Sequence, residues 1–331
     1  MIMMTEFQVQ ASRAAEGMGY LDSGMRRFAS LAILLALAAC RRQGPPTPPD
    51  PSPPPRATSS AASPASRNGA PEALRAGSAG SGAGTAEVER PGLAPLEAET
   101  PLVDLPVEGH GPAVVSLPLG ATDARPVLVA THGNYDRPEW TCAIWRDIVD
   151  HDGFVLCPRG MVRGDSPSPG DPRYQYATNG RLEKEIELAL QALTQTYAQY
   201  VSGPPYVFAG FSQGAIMGVP ILGRRPEWFD RAVLIEGGYD RWTKAGAAQY
   251  AEGGGRRILF ACGQWACDQG YKAAQPWFEV AGIESRVVSA KGAGHTYGGP
   301  VAGLIDEAWG WVVADDERWH PQGRGPAPPP P

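Results

Sequence analysis

Dense apolar runs of four or five residues alternate along this chain with longer stretches in which apolar residues recur every three or four positions. The runs include Pro126-Val127-Leu128-Val129-Ala130, Pro205-Tyr206-Val207-Phe208-Ala209, Ala232-Val233-Leu234-Ile235 and Ile258-Leu259-Phe260-Ala261, and Ser285-Arg286-Val287-Val288-Ser289 reads as a further short strand. Continuous apolar runs of this length mark strands buried on both faces, as in a parallel sheet. The intervening periodic stretches predict helices over 139–150, about 180–200, 214–223, 268–280 and 301–313. In the second of these, Leu182, Ile186, Leu190 and Leu193 form one stripe that lies on the sheet. Strand and helix in alternation predict an α/β fold with a mostly parallel central sheet and helices on both faces. No internal repeat is evident.

Composition changes abruptly outside this pattern. From Gln43 to about Thr100 the chain is rich in Pro, Ala, Gly and Ser, as in Pro45-Pro46-Thr47-Pro48-Pro49. Such a segment buries too little apolar surface to offset its ordering entropy, so it is expected to be a disordered tether. Before it, Arg26-Arg27 precedes the apolar stretch 28–39. That is too short for a membrane span of about 30 Å but suits a signal-peptide core. Leu37-Ala38-Ala39-Cys40 resembles a bacterial lipobox, which implies cleavage before Cys40, lipidation of its sulfur and a place in the cell envelope, at the outer membrane. Met25 abuts the two arginines and is the expected start of translation. The expected organisation is an extension over 1–24, a lipoprotein signal peptide over 25–39, the tether over 40–100, one α/β domain over 101–320 and a Pro/Gly tail over 321–331.

The candidate chemistry centres on Gly210-Phe211-Ser212-Gln213-Gly214. In a chain of 41 glycines this pattern alone is a weak signal. Its setting carries it, because an apolar strand precedes it and a helical stretch follows. That is the nucleophile elbow, in which two glycines let a strand turn sharply into a helix and leave the serine hydroxyl exposed. Downstream, His295 lies in Lys291-Gly292-Ala293-Gly294-His295-Thr296-Tyr297-Gly298-Gly299, after the last strand, where it can reach back over the sheet to Ser212.

On these residues, together with His132-Gly133-Asn134 and Cys157-Pro158-Arg159-Gly160 after their strands, the chain resembles the α/β-hydrolases. It is most similar to the phospholipase/carboxylesterase-like and polyhydroxybutyrate-depolymerase-like serine esterases. The resemblance implies Ser212 as nucleophile, His295 as base, and an oxyanion hole formed by backbone N–H groups near Asn134 and at Gln213. It casts His132 as a structural loop residue. The acid departs from the family pattern, since Ala266 stands where most relatives carry aspartate. Glu236 ends an apolar strand, where a carboxylate is costly unless paired, and this favours it over Asp268 two residues late in a polar loop. Asp240 is a weaker third. Trp140, Trp145, Trp265 and Tyr297 are candidates for lining a pocket, although aromatics at such positions more often simply pack. Pocket shape is expected from the loops 162–179 and 242–255, and no stretch after Ser212 is long enough for a large lid.

Besides Cys40 there are four cysteines, an even number in an exported chain. The expected disulfides are Cys142 with Cys157 and Cys262 with Cys267. Zinc binding is disfavoured, because no Cys-x-x-Cys pair is present. A net charge of −6 without a basic run argues against nucleic acid as a partner. No phosphate-binding loop or dinucleotide fingerprint points to a cofactor. The leading expectation is a serine esterase acting on a small-molecule, lipid or polyester ester and anchored to the membrane through Cys40. A non-catalytic binding module on the same scaffold and a serine peptidase are the alternatives.

Overall fold

A computed structural model describes residues 92–319. The extension, the signal peptide with Cys40, the tether up to residue 91 and the tail lie outside the described residues. Residues 92–100, tether-like by composition, lie against the domain: Leu93 and Leu96 donate backbone hydrogen bonds to Thr122 and Ala121, and Leu96 is buried.

The chain opens with β1 (Leu102–Leu105), β2 (Ala113–Ser116) and β3 (Val127–Thr131), followed by helix α1 (Pro138–Val149). Strand β4 (Phe154–Cys157) leads into a short ladder of β5 (Met161–Val162) and β6 (Tyr174–Gln175), then α2 (Asn179–Thr196). The second half is β7 (Tyr206–Phe211), α3 (Gln213–Arg224), β8 (Phe229–Ile235), α4 (Lys244–Glu252), β9 (Arg257–Cys262), α5 (Trp265–Ala281), β10 (Glu284–Ser289) and α6 (Pro300–Val312). Eight strands form one sheet in the order β1-β2-β4-β3-β7-β8-β9-β10. Strand β2 runs antiparallel to both its neighbours, and the other pairings are parallel. This is the α/β-hydrolase arrangement expected from the sequence.

The strands alternate strictly between two apolar layers. Val127, Val129 and Phe208 join one with the buried faces of α2, α3, α4 and α5. Leu128, Ala130, Val207 and Ala209 join the other with α1, α6 and Trp319. Both faces are therefore covered, which explains runs without polar alternation. The α2 stripe of Leu182, Ile186, Leu190 and Leu193 is buried as expected, and Thr178 caps the helix by accepting from the Arg181 amide.

Two expectations are corrected. Residues 242–255 are not a pocket-shaping loop: α4 occupies most of them, capped by Thr243 and held by fully buried Ala247 and Tyr250, with Trp242 against Tyr250 and Phe278. Cys142 and Cys157 are free thiols, not a disulfide. Both are completely buried between α1 and the sheet, and the Cys142 thiol donates to the Val114 and Val155 carbonyls. Burial, and after it the neighbouring Cys142 thiol, pushes the Cys157 thiol well up. The other pairing stands: Cys262 and Cys267 are bonded, with Cα atoms 5.5 Å apart.

Candidate functional site

Ser212 occupies the single residue between β7 and α3, at φ 48° and ψ −111°. Its amide donates to the Ile235 carbonyl at 2.9 Å, and its carbonyl accepts from Ile216, so the turn is held from both sides. The crowding explains the flanking glycines. A Cβ at Gly210 would lie 2.7 Å from the Ala215 nitrogen, and one at Gly214 would lie 2.5 Å from Thr131 Oγ1. The Gly214 amide donates to the His132 carbonyl at 3.1 Å, which ties the start of α3 to the loop after β3.

Three chain segments converge on this elbow. The loop after β10 brings His295, whose Nε2 is 2.8 Å from Ser212 Oγ. The end of β8 brings Glu236, whose Oε2 is 3.4 Å from His295 Nδ1. Glu236 is buried, and its other oxygen, Oε1, accepts from the amides of Gly263 and, at 2.8 Å, of Gln264. The carboxylate therefore has the partners that its burial demands. Glu236 too has positive φ, at 50°, as does Tyr135 at 64°, so three non-glycine residues of strained backbone gather around one site.

Asp268 is not part of this cluster. Helix α5 begins at Trp265, earlier than the sequence suggests, and puts Asp268 in its first turn instead of a loop. There it pairs with Lys272 at 2.7 Å, and that hydrogen bond holds its carboxyl below the usual range. Asp240 is half exposed and pairs with Arg241.

The loop after β3 carries His132, Gly133 and Asn134. His132 is fully buried and stacked on Tyr176, its ring nitrogens 2.7 and 2.9 Å from the carbonyl oxygens of Gly133 and Arg159. It is a structural residue, as expected. A Cβ at Gly133 would lie 3.5 Å from the Ser212 Cβ, so this loop runs directly alongside the serine. Among the described residues, the backbone amides of Asn134 and Gln213 have no intramolecular acceptor. Their side chains are engaged elsewhere: Asn134 Oδ1 accepts from Arg163, and the Gln213 amide group pairs with both backbone groups of Tyr176.

Beside His295 opens a groove of about 670 Å³ lined by Tyr135, Trp140, Ile144, Phe211 and Tyr297, with Asp136 and Asp147 as its acidic members. Of the aromatic candidates, Trp140 and Tyr297 line it. Trp145 is buried against Trp309, and Trp265 is exposed outside the groove. The Tyr297 ring packs on Phe211, and its hydroxyl donates to Asp136 at 3.1 Å. Burial, then the Asp136 charge, pushes the Tyr297 hydroxyl well up, so it stays a donor. The Tyr297–Asp136 and Arg163–Asn134 links were invisible to sequence reasoning, because each joins residues distant along the chain. Among the described residues no group of three or more His, Cys, Asp or Glu side chains is arranged to hold a metal.

No protein-family model matches the chain, and no curated protein matches it. Solved structures similar to it include a Bacillus cereus carboxylesterase, 19% identical, over 60% of this chain and 92% of that one, with a TM-score of 0.41. A Mesorhizobium loti carboxylesterase is 16% identical over 64% and 100% of the two chains, with a TM-score of 0.44. Poly(aspartic acid) hydrolase-1 from Sphingomonas sp. KT-1 is 15% identical over 67% and 99%, also at 0.44. Similarity at this level leaves the functional reading to the geometry of the site itself.

Proposed function

We propose that the protein is a serine hydrolase that cleaves carboxylic esters. The observation that carries this reading is the 2.8 Å approach of His295 Nε2 to Ser212 Oγ, with Glu236 behind the ring at Nδ1. In the proposed reaction, His295 takes the Ser212 proton as Oγ attacks the ester carbonyl, then delivers it to the departing alkoxide. Glu236 fixes the tautomer with Nδ1–H towards itself and stabilises the imidazolium. The 3.4 Å separation at rest shortens as positive charge develops on the ring. The amides of Asn134 and Gln213 receive the oxyanion, a task suited to donors with no other acceptor. Water then repeats the sequence on the acyl-enzyme, with His295 again as base.

The groove beside His295 suits the acyl or alcohol portion of the ester, and its rim is open, with about half of the His295 side chain exposed. The lipobox-like Leu37-Ala38-Ala39-Cys40 supports anchoring of the enzyme through Cys40 at the cell envelope, at the outer membrane. Recovery of diacylglycerol on Cys40 from detergent-extracted protein tests that part. The mechanism is tested by p-nitrophenyl ester hydrolysis across acyl lengths. Wild type is expected to turn over and Ser212→Ala to be inactive while folded, and equal turnover by the two refutes it.

A further inference from the structure

Gly263 sits between two of the three reacting side chains and is bonded to the surroundings of both. Its amide donates to Glu236 Oε1. Its carbonyl accepts from Gly292 at 3.1 Å and Gly294 at 3.3 Å, in the loop that delivers His295. The approach is so close that a Cβ at Gly263 would collide with the Gly294 carbonyl oxygen. Next to it, Gln264 gives Glu236 its second amide, and the Cys262 carbonyl accepts from Ala290 at 2.8 Å. Two backbone amides and two carbonyls within three consecutive residues thus hold both the acid and the histidine loop.

This segment has a staple of its own. Cys262 is the last residue of β9, Cys267 lies in the first turn of α5, and their disulfide closes the loop that contains Gly263 and Gln264. Both cysteines are buried, so the bond sits beneath the loop and not on the surface. A strand-to-helix connection containing a glycine has many accessible backbone conformations, and only a narrow set aims both amides at one carboxylate oxygen.

We propose that the Cys262–Cys267 disulfide is a positioning element for catalysis, which holds the Gly263 and Gln264 backbone so that Glu236 and the His295 loop stay in register with Ser212. The inference rests on the esterase reading and adds residues that never touch the substrate. Cys262 and Cys267 are positioning residues, and the groups they position are the two amides and the Gly263 carbonyl. Loss of the staple lets the loop drift, and a misplacement of about an ångström is enough to cost up to a hundred-fold in rate. The cost falls on kcat, because no residue of the 262–267 loop lines the groove.

The test is a double-mutant cycle on the full chain. The Cys262→Ala/Cys267→Ala variant, with its melting temperature recorded, is expected to lose roughly ten- to a hundred-fold in kcat with KM little changed. Combined with Glu236→Ala, its loss should fall well short of the product of the separate losses, because groups acting as one unit are non-additive. If the Cys262→Ala/Cys267→Ala chain does not fold, the same kcat is read on wild type reduced with dithiothreitol below its melting point. There the cystine takes up two electrons and two protons to become two thiols while dithiothreitol closes to its cyclic disulfide, and thiol trapping with mass measurement verifies the reduction. Unchanged kcat, losses that multiply, or an effect confined to KM each overturn the inference. An inert wild type with an unreactive Ser212 overturns the esterase reading and this inference with it. An active wild type indifferent to the staple overturns the inference alone.

Discussion

At Ser212 the backbone conformation, φ 48° and ψ −111°, is one that side-chain-bearing residues rarely adopt, and Glu236 at φ 50° shares the burden. Such residues cost about 1–3 kcal/mol each and persist only where surrounding structure over-determines them. Replacing Ser212 by glycine relieves that strain and removes the hydroxyl proposed as nucleophile. Ser212→Gly should therefore be inactive yet more stable by about 1 kcal/mol in urea unfolding, a trade between activity and stability. For the proposed acid, Glu236→Gln is expected to lower kcat by on the order of 10⁴-fold, as for an orienting carboxylate turned to amide. Asp268→Asn should leave kcat unchanged, since its side chain faces Lys272. Equal losses from the two substitutions would refute this assignment. Ser212 and His295 were legible because glycines and strand ends mark both positions. Glu236 was legible only by the burial cost of a carboxylate at a strand end. Its two amide partners were not, since they depend on how the 262–267 loop folds back.

The elements differ in how plainly their sequences announce them. Strands β3, β7, β8 and β9 are buried on both faces, and their continuous apolar runs declare this. Helix α4 was missed because its nine residues include only two buried side chains, Ala247 and Tyr250, too few to display a period. The two remain essential to packing: Tyr250 is fully buried, and Tyr250→Ala should cost about 3–5 kcal/mol in thermal or denaturant unfolding. A loss below 1 kcal/mol would mean that the segment is not the packed helix described. The start of α5 was misjudged for a related reason. The run Trp265-Ala266-Cys267 offers no capping side chain, since the N-cap residue Gln264 makes no side-chain cap hydrogen bond. The Cys142–Cys157 pairing failed because parity counts cysteines without their orientation. Here the Cys142 thiol is already satisfied by two carbonyls.

Over the described residues, two apolar layers sandwich the sheet, and charged pairs gather where the central strand β7 begins. Asp316 is buried beside Arg318, which also donates to the carbonyls of Gly203 and Pro205. Burial alone would raise the Asp316 carboxyl, but hydrogen bonds and charge from Arg318 outweigh it and hold it below the usual range. A carboxyl with a depressed folded value contributes stability that is fully present above its unfolded value and is lost as pH falls through the folded one. The destabilisation caused by Arg318→Met should accordingly be larger at pH 7 than at pH 3, read by urea unfolding at both. A pH-independent difference would show that Arg318 acts through its backbone contacts alone. The α/β class and the sheet's burial were readable at this scale from alternation of strand and helix, whereas the fold-back of the loop after β9 onto Glu236 and the His295 loop was not, because loop geometry follows from tertiary packing and not from local pattern.

The central claim is that Ser212 is an activated nucleophile, and covalent trapping tests it most directly. The full chain is treated with a fluorophosphonate, digested, and the modified peptide identified by mass, beside Ser212→Ala and His295→Ala variants. The account predicts a single adduct on Ser212, absent from Ser212→Ala and strongly slowed in His295→Ala. A folded wild type that remains unlabelled, or labelling that ignores the loss of His295, would contradict it.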